Sequence, residues 1–406
     1  VAKLPGIPGI EDFAGHSFHT SRWDYAYTGG DPDGAPMTGL ADRQVAIIGT
    51  GATSVQVVPH LARDAKELFV FQRTPSSVDV RDNGPIDPGW FAEVATPGWQ
   101  QRWLTNFTTN QQGGQADEDL VRDGWTAISR RVRTSIGALT PQERTAKAIA
   151  EVVLASDDAK MDEIRARVEA TVTDPDTAEH LKAWYRQLCK RPCFHDEYLH
   201  AFNRPNTHLV DTDGRGVERI TATGVVVAGK EYPVDCVIYA SGFEVGTSYA
   251  RRCGYEVTGR DGRTLSEHWA KGMRTMHGMH AHGFPNMFIV QPTQGANLLS
   301  NIPHNLVESA RTIAILIRHA LDTGTRTEVS EAAEQDWVDL LLSAPPLAVS
   351  APDCTPGYYN NEGQGIDPAA RLRVGYPAGA TAYFAFLEDW RTNGTFTGLT
   401  FSNGAS

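Results

Sequence analysis

The amino-acid sequence predicts an α/β fold that is built around a parallel sheet and contains a nucleotide-binding unit. Three observations lead to this prediction: a short apolar run at residues 44–48, a glycine-rich turn directly after it, and a helical spacing of apolar residues that leads to a second apolar run. Hydrophobic residues form 41% and charged residues 21% of the 406-residue chain. That composition is typical of globular proteins, and the length permits two or more domains with separate cores.

Charge and cysteine content narrow the class of protein. The formal net charge is −12, whereas nucleic-acid binding needs a clustered basic surface, so we expect no nucleic-acid partner. The most apolar helix candidate, near residues 313–317, is too short and too interrupted to span a membrane. The cysteines are few, odd in number and irregularly spaced, which favours reduced thiols in a cytoplasmic protein over a disulfide framework. They are Cys189, Cys193, Cys236, Cys253 and Cys354.

The glycine-rich turn lies inside a predicted βαβ unit. The strand Gln44–Ile48 precedes it, the helix Ala52–Asp64 carries apolar residues at a helical spacing, and a strand at residues 68–71 follows. The first glycine permits a tight turn, the second lets a pyrophosphate approach the backbone, and the helix N-terminus offers unpaired N–H groups. A turn without a nucleotide is the alternative. A serine holds the third position, where glycine or alanine is usual. The residues expected to bind the pyrophosphate are Gly49, Thr50, Gly51, Ala52, Thr53 and Ser54.

The end of the second strand predicts which dinucleotide binds. Sites that prefer NAD place a carboxylate there, and it binds the ribose hydroxyls. Here the strand continues into Gln72, Arg73 and Thr74, and a guanidinium can pair with the 2′-phosphate of NADP. The sequence therefore predicts NADPH rather than NADH, with a solvated surface arginine as the alternative.

The rest of the chain has weaker secondary-structure signals. Residues 79–114 are rich in proline, glycine and asparagine, which predicts a long surface loop, and residues 117–186 predict several short helices. A helix with apolar residues at 306–317 is expected to end at Gly324. The last eighty residues predict loops apart from a helix near residues 330–342. Further strands are expected at residues 207–210, 217–220, 224–228, 234–240 and 285–291.

The most informative stretch is residues 13–24, Phe-Ala-Gly-His-Ser-Phe-His-Thr-Ser-Arg-Trp-Asp. Taken alone, it indicates an aromatic and glycine-containing connector, and a structural role for its second histidine is an equally good interpretation. The stretch resembles the fingerprint of Baeyer–Villiger monooxygenases, FxGxxxHxxxW followed by proline or aspartate. Related N- and S-oxygenating flavoproteins share the phenylalanine, glycine and histidine but usually lack the tryptophan. The matching residues are Phe13, Gly15, His19, Trp23 and Asp24.

The resemblance covers most of the chain and implies a fold and a reaction. It implies a two-dinucleotide-binding-domain flavoprotein fold that uses FAD, NADPH and dioxygen to convert a ketone into an ester or lactone through a C4a-peroxyflavin. Residues 74–81 and 357–363 look most like the branch that includes cyclopentadecanone monooxygenase and the lactone synthases of the pentalenolactone pathway. The other matching stretches are residues 49–54, 72–75, 190–191, 202–206 and 240–243.

The family also implies a division of the chain into segments. Two parts of the FAD domain are expected to flank a Rossmann-like NADP-binding domain that carries a helical insertion. The implied segments are a linker with the fingerprint and an FAD-domain edge at 1–41, the NADP-binding domain at 42–205 with its insertion at about 115–188, returning NADP-domain strands and the C-terminal part of the FAD domain at 206–330, and an extension that covers the active site at 331–406.

Roles for single residues follow from the same resemblance. Arg191 is the implied catalytic residue, because a permanent positive charge can stabilise an oxygen anion. Lys190 is the implied second cation on the 2′-phosphate beside Arg73, whereas without the family an exposed dibasic pair is the simpler interpretation. His19 and Trp23 are implied to couple domain movement to cofactor position. The residues implied to approach FAD at the end of a strand are Ser241, Gly242 and Phe243.

Two features depart from the family pattern and leave alternatives open. Residues 49–54 are the one candidate for a strand–glycine turn–helix unit, so we expect the first FAD-binding half to be missing. The usual C-terminal tryptophan is also missing, and Tyr358 or Tyr359 is the candidate to replace it. The alternatives are an N- or S-oxygenating flavoprotein and an NADP-binding fragment without turnover. No metal is expected at three histidines whose spacing matches no metal motif, His277, His280 and His282.

Overall fold

The described residues form two compact units, each of which gathers segments that are distant in sequence. Unit 1 is drawn from residues 1–85, 145–246 and 351–363, and unit 2 from residues 86–144, 247–350 and 364–406. Among the described helices, none is long and apolar enough to cross a membrane. The computed structural model describes residues 2–112, 116–243, 248–291, 293–296, 300–343, 354–357 and 372–403.

Both units are built from short strands and helices of varied length. The described strands are β1 (His16–His19), β2 (Gln44–Ile48), β3 (Glu67–Gln72), β4 (Val78–Asp79), β5 (Cys193–Phe194), β6 (Thr207–Asp211), β7 (Arg219–Ile220), β8 (Gly224–Val227), β9 (Lys230–Pro233), β10 (Cys236–Tyr239), β11 (Thr325–Val329) and β12 (Leu399–Asn403). The described helices are α1 (Tyr25–Thr28), α2 (Ala52–Asp64), α3 (Pro88–Val94), α4 (Trp99–Gln111), α5 (Gly124–Gly137), α6 (Ala146–Thr171), α7 (Pro175–Leu181), α8 (Tyr198–Ala201), α9 (Tyr249–Cys253), α10 (Leu265–His268), α11 (Ile302–Thr323), α12 (Glu331–Leu342) and α13 (Gly379–Asn393).

Unit 1 is organised by a five-stranded parallel sheet in the order β1-β10-β2-β3-β6. The β2-α2-β3 unit confirms the predicted βαβ arrangement, with Ile48 of β2 opposite Phe71 of β3. Because parallel neighbours run in the same direction, the residues that follow β1, β2, β3 and β10 meet along one edge of the sheet. We call this the carboxyl edge. Ligands of open α/β sheets bind outside such an edge.

Both faces of the sheet are covered, which explains why its strands are apolar throughout. Successive side chains of a strand point to opposite faces. Val45 and Ile47 pack with α2 in one core cluster, whereas Ala46 and Ile48 pack in a second cluster with the antiparallel sheet β7-β8-β9. All four of these side chains are buried.

Unit 1 contains two connections that the sequence did not indicate. β4 and β5 pair in parallel, with Val78 opposite Cys193. Cys189 and Cys354 form a disulfide across a sequence separation of 165 residues, with Cα atoms 5.2 Å apart. The prediction of reduced thiols is wrong for this pair, because the fold brings together two cysteines that no local spacing relates. The free cysteines are Cys193, Cys236 and Cys253.

Unit 2 is mainly helical. Trp337 of α12 and Tyr383 of α13 pack with Met279 in its central core cluster. The Trp337 indole donates a hydrogen bond to the carbonyl of Gln294 at 3.0 Å. α11 ends, as predicted, at Gly324, whose φ of 67° is the left-handed conformation common after helices. The antiparallel pair β11-β12 belongs to the same unit.

The bounds of β2 and α2 were predicted correctly, but the loop predicted at residues 79–114 is wrong. This stretch contains α3 and α4. The described prolines and glycines of this stretch did not prevent helix formation because they lie before a helix or in its first turn, with Pro88 in the first turn of α3 and Gly98 as the N-cap of α4. Aromatic rings of the two helices then contact each other, including Trp90 with Trp103 at 6.4 Å.

Three further expectations are wrong. The insertion predicted as several short helices includes α6, which has 26 residues. The described part of the last eighty residues contains α13 and β12 in addition to α12. Residues 285–291 form no strand: the stretch begins with a turn in which Asn286 has φ 57°, and residues 287–290 are not assigned to a strand. The segment bounds implied by the family stay predictions.

Candidate functional site

The glycine-rich turn lies at the carboxyl edge, between β2 and α2. Gly49 has φ 108°, in the region that favours glycine. A Cβ atom on Gly49 would lie 2.8 Å from the carbonyl oxygen of Ala240, directly after β10. Gly51 caps α2, and no atom lies within 4 Å of where its Cβ would be. The fold therefore requires the first glycine, whereas the second leaves the N-terminus of α2 open to a ligand.

The first turn of α2 suits a pyrophosphate. The Val55 amide donates to the carbonyl of Gly51 at 3.0 Å and makes the first hydrogen bond of the helix. The amides of residues 52–54 precede it and have no partner one turn earlier. Such amides, together with the positive end of the helix dipole, attract phosphate groups. The six residues predicted as a phosphate cradle therefore lie together at one helix end.

Thr50 joins this turn to the residues that follow β3. Its Oγ1 donates to the carbonyl of Thr74 at 2.8 Å, and its carbonyl accepts a hydrogen bond from Ser76 Oγ at 2.5 Å. Thr50 itself is buried. The structure thus brings together Thr50 and Thr74, both of which were predicted from sequence. It also adds Ser76, which the sequence prediction missed. The available signal for Ser76 was the hydroxyl-rich turn after β3.

An arginine follows the last residue of β3. Arg73 is exposed. The preceding residue, Gln72, is buried and donates from Nε2 to the Asp211 carboxylate at 2.7 Å and to the carbonyl of His180 at 2.7 Å. The carboxylate on the neighbouring strand β6 is therefore already bound. This arrangement suits a 2′-phosphate better than an unmodified ribose.

A tyrosine links Lys190 to the same loop. Tyr185 Oη donates to the carbonyl of Pro75 at 2.8 Å and accepts from the Ser77 amide at 3.1 Å. Burial raises the pKa of Tyr185, so the phenol stays protonated and can donate. The Lys190 ammonium lies 5.6 Å from the centre of the Tyr185 ring. Lys190 is thereby held beside the loop that begins with Arg73.

Arg191 is tied through its backbone to the loop after β3. The Cys193 amide donates to the carbonyl of Ser77 at 3.0 Å, and the Cys193 thiol donates to the carbonyl of Arg191 at 3.5 Å. Burial raises the pKa of Cys193 to about 11, so this thiol stays neutral. The Arg191 side chain is exposed. The structure thus brings the backbone of Arg191 to the loop that binds Thr50, and the residue itself is exposed.

Two cations of α6 hold the β4–β5 pair that positions Arg191. Arg167 donates from Nη1 to the carbonyl of Val78 at 2.7 Å and from Nη2 to the carbonyl of His195 at 3.0 Å. Burial lowers the pKa of Arg167, although a guanidinium remains charged at neutral pH. Lys160 forms an ion pair with Asp79 at 2.5 Å. Sequence reasoning missed these residues because a basic helix face usually indicates solvent exposure.

His19 of the fingerprint connects β1 to the residues after β10. Its Nδ1 accepts a hydrogen bond from the Ser21 amide at 3.1 Å, which assigns the proton to Nε2. Nε2 then donates to the carbonyl of Gly242 at 2.9 Å. His19 is buried. It therefore fixes the backbone at Gly242 from a neighbouring strand.

The three residues predicted to approach FAD lie at the carboxyl edge. Gly242 has φ 75° with open space where a Cβ would be, and Phe243 is exposed. The Ser241 hydroxyl donates to the carbonyl of Lys3, so this hydroxyl is bound within the chain. The open backbone at Gly242 fits the close approach of a cofactor.

The other fingerprint residues shape the chain around His19. A Cβ on Gly15 would lie 2.5 Å from the Phe13 ring and 2.6 Å from the carbonyl of Asp235, so no larger residue fits. The Trp23 indole donates to Thr28 Oγ1 at 3.1 Å. Asp24 is the N-cap of α1. The implied coupling of this stretch to domain movement stays a prediction.

The three clustered histidines belong to the core of unit 2. Burial lowers the pKa of His277 to about 3 and that of His280 to about 4, so both rings are neutral. The His277 ring lies 4.8 Å from the Trp337 ring. His282 Nδ1 donates to the carbonyl of Val329 at 2.8 Å. Within the described part of the chain, no group of three or more His, Cys, Asp or Glu residues is arranged to hold a metal.

Sequence reasoning missed Tyr185 and the Cys189–Cys354 pair. Tyr185 lies five positions before Lys190 in a stretch without a motif, and the disulfide partner is far away in sequence. No sequence signal marked either contact. Tyr358 and Tyr359, the candidates to replace the family's tryptophan, lie outside the described residues.

Curated proteins similar to this chain include enzymes that are named for a lactone and for the Baeyer–Villiger reaction. Pentalenolactone D synthase of Streptomyces arenae is 49% identical over 409 residues, which cover 98% of this chain and 67% of the relative. A Baeyer–Villiger monooxygenase of Stachybotrys chlorohalonatus is 47% identical over 399 residues, which cover 98% of this chain and 63% of the relative. The chain thus spans about two thirds of the length of these relatives. No protein-family model matches the chain.

Solved structures similar to the chain agree with the predicted fold. A polycyclic ketone monooxygenase from Thermothelomyces thermophila superposes with a TM-score of 0.87 at 38% identity, covering 99% of this chain and 66% of that protein. The OTEMO complex with FAD and NADP superposes with a TM-score of 0.71 at 26% identity, covering 99% of this chain and 73% of that protein. The two-dinucleotide-binding flavoprotein fold predicted from the sequence is confirmed.

Proposed function

Because the chain belongs to the Baeyer–Villiger monooxygenase family of flavoproteins, we propose that it acts in the NADPH- and FAD-dependent oxidation of a ketone by dioxygen to an ester or lactone. The predicted likeness to the pentalenolactone branch is confirmed by the 49% identity. We place this activity in the cytoplasm, with a small ketone and dioxygen as the partners.

One observation carries the proposal for this chain. The open N-terminus of α2 and two cations, Arg73 and Lys190, lie around the loop that follows β3. The helix N-terminus attracts a pyrophosphate, and the two cations attract a third phosphate nearby. NADP carries this combination of a pyrophosphate and a 2′-phosphate. Asp211, the carboxylate on the neighbouring strand, is bound to Gln72. NADPH is therefore the dinucleotide that fits.

When bound, NADPH supplies the hydride and FAD activates dioxygen. In this chain, the residues proposed to face FAD are Ser241, Gly242 and Phe243, whose backbone His19 holds in place. Arg191 supplies a permanent positive charge for the negative charge that develops on oxygen during attack on the ketone. The β4–β5 pair and α6 position its backbone.

The reaction is tested with the purified chain, FAD, NADPH and a cyclic ketone under labelled dioxygen. We expect the ketone to become a lactone that carries one labelled oxygen atom. A parallel assay offers an amine and a thioether. Oxygenation of these compounds with an untouched ketone would contradict the proposal and favour the N- or S-oxygenating alternative. A colourless protein that FAD does not reconstitute would favour the fragment alternative.

Replacement of Arg191 tests the role proposed for it. Arg191→Ala should lower the rate of lactone formation at least about 100-fold, because one preorganised charge at the reacting oxygen is worth that much. Binding of NADP⁺ should remain close to that of the parent protein. Arg219→Ala, which removes an exposed arginine on β7, is the control. An unchanged rate of lactone formation in Arg191→Ala would contradict the proposal that Arg191 stabilises the negative charge on oxygen.

A further inference from the structure

The Cys189–Cys354 disulfide lies directly beside the proposed phosphate-binding lysine. Cys189 is the residue before Lys190. Both half-cystines are buried, and they pack with Met161, Ile164 and other residues in a small core cluster. The bond therefore anchors residues 354–357 to the segment that carries Lys190.

The anchored residues contact the lysine itself. The Lys190 ammonium donates to the carbonyl of Pro356 at 2.6 Å. A Cβ on Gly357 would lie 3.1 Å from the same nitrogen. The Tyr185 ring, which is near the same ammonium, is hydrogen-bonded through its hydroxyl to the loop after β3.

We propose that the Cys189–Cys354 disulfide positions Lys190 for the 2′-phosphate, so that the redox state of this bond sets how strongly the chain discriminates NADPH from NADH. The inference rests on the proposed function, which makes Lys190 a phosphate-binding residue. A free lysine side chain loses rotamer freedom when it binds a phosphate. A lysine side chain that is already hydrogen-bonded to Pro356 loses less rotamer entropy on binding. Its affinity for the phosphate is therefore higher.

The chemical step is thiol–disulfide exchange with a dithiol. One thiolate of the dithiol attacks a sulfur of the Cys189–Cys354 bond and forms a mixed disulfide, and its second thiolate displaces the cysteine. Two electrons and two protons pass to the two cysteines, and the dithiol leaves as a cyclic disulfide. Residues 354–357 then lose their covalent link to Cys189. The carbonyl of Pro356 is no longer fixed beside the Lys190 ammonium.

Nucleotide binding to the purified chain tests this inference. The dissociation constants of NADP⁺ and NAD⁺ are measured by calorimetry before and after treatment with dithiothreitol. We expect reduction to weaken NADP⁺ binding about fivefold, because the lysine must then be ordered on binding, and to leave NAD⁺ binding unchanged. Peptide mass spectrometry without reductant should detect the linked pair, and failure to find it would overturn the inference.

Variants separate positioning from general stability. Cys189→Ser and Cys354→Ser should show the weakened NADP⁺ binding without reductant and should no longer respond to it. Lys190→Met should bind NADP⁺ weakly in both redox states. Cys253→Ser, which removes an exposed free thiol, should respond like the parent protein. If reduction weakened the binding of NADP⁺ and NAD⁺ equally, the Cys189–Cys354 disulfide would have a purely structural role, and the inference would be overturned.

A second readout distinguishes failure of this inference from failure of the proposed function. The rate at which an amine-reactive reagent acylates Lys190 is followed by mass spectrometry. Reduction should raise this rate, because the carbonyl of Pro356 is then no longer fixed beside the ammonium. If neither nucleotide binds but the rate rises, the proposed function fails and the contact between the disulfide segment and Lys190 is supported. If the rate is the same in both redox states, the positioning role itself is overturned.

Discussion

The two halves of the candidate site are held in place in different ways. The turn at residues 49–54 joins two consecutive elements, and its own glycine, with φ 108°, fits it against the strand next to β2. The dibasic pair at residues 190–191 depends on contacts outside its own segment: with Tyr185 five positions earlier, with α6, and with Pro356, which is far away in the sequence. A short motif can therefore encode a phosphate cradle, whereas the charges that complete the site depend on tertiary contacts.

The halves also differ in their sensitivity to pH. The turn consists of glycine, alanine, threonine and serine and has no titratable side chain. The dibasic segment follows Gln187, whose amide donates to the Asp157 carboxylate at 3.1 Å. Burial raises the pKa of Asp157. A change of pH is therefore expected to affect the dibasic segment through Asp157 and to leave the turn unaffected.

The largest expected effect separates the two glycines of the turn. Gly49→Ala should lower the free energy of unfolding by about 3 kcal/mol, because it combines a left-handed backbone with a clash against the carbonyl of Ala240. Gly51→Ala is the matched control, since its Cβ meets open space. Urea denaturation measures both variants. Equal stability of the two variants would show that the turn is not fixed by this contact.

Replacement of Arg73 should change nucleotide affinity without a change in stability. Arg73→Gln should weaken NADP⁺ binding about tenfold, the value of one charge-assisted contact to a phosphate. NAD⁺ binding should stay the same, because NAD⁺ lacks the 2′-phosphate. Calorimetric titration with both nucleotides checks this prediction, and Arg215→Gln, another exposed arginine, is the control. A similar loss for NAD⁺ would contradict the assignment of Arg73 to the 2′-phosphate.

Ser54 should be replaceable at a gain in stability. Its Oγ is buried and has no hydrogen-bond partner among the described residues. Ser54→Ala should raise the free energy of unfolding by about 1 kcal/mol, because a buried hydroxyl without a partner is unfavourable. Urea denaturation of the variant checks this, with Thr53→Ala on the same helix turn as the comparison. A loss of stability in Ser54→Ala would show that the hydroxyl has a partner, such as a buried water.

The smallest expected effect concerns pH and the dibasic segment. The folded-state pKa of Asp157 is raised, so its contribution to stability is fully present below its ordinary pKa and is lost as pH rises through the folded value. Asp157→Asn keeps the acceptor for Gln187 and removes this loss. We expect it to raise the free energy of unfolding at pH 7 and to leave it unchanged near pH 3. A gain that is the same at both pH values would contradict the titration of Asp157 as the cause.

The βαβ unit of unit 1 could be predicted with its bounds, whereas unit 2 could be predicted only in part, at the end of α11 and at α12. The strand at 44–48 and the helix at 52–64 were predicted with their observed bounds, because strands buried on both faces and amphipathic helices have clear periodicities. In unit 2, the strand expected at 285–291 is wrong: the stretch begins with a turn at the left-handed Asn286, and the apolar residues 287–290 after it pair with no strand among the described residues. The loop predicted at 79–114 is wrong because composition does not distinguish a proline or glycine at the start of a helix, such as Pro88 or Gly98, from one in a loop.

The sequence by itself determined the nucleotide-binding unit, the arginine at the end of its second strand and the family fingerprint, because each depends on residues that are near one another in the chain. Only the tertiary structure decided that His19 binds the carbonyl of Gly242, that Tyr185 brings Lys190 to the loop after β3, and that Cys189 pairs with Cys354. These contacts join residues from separate segments, and a spacing along the chain carries no information about partners that only folding brings together.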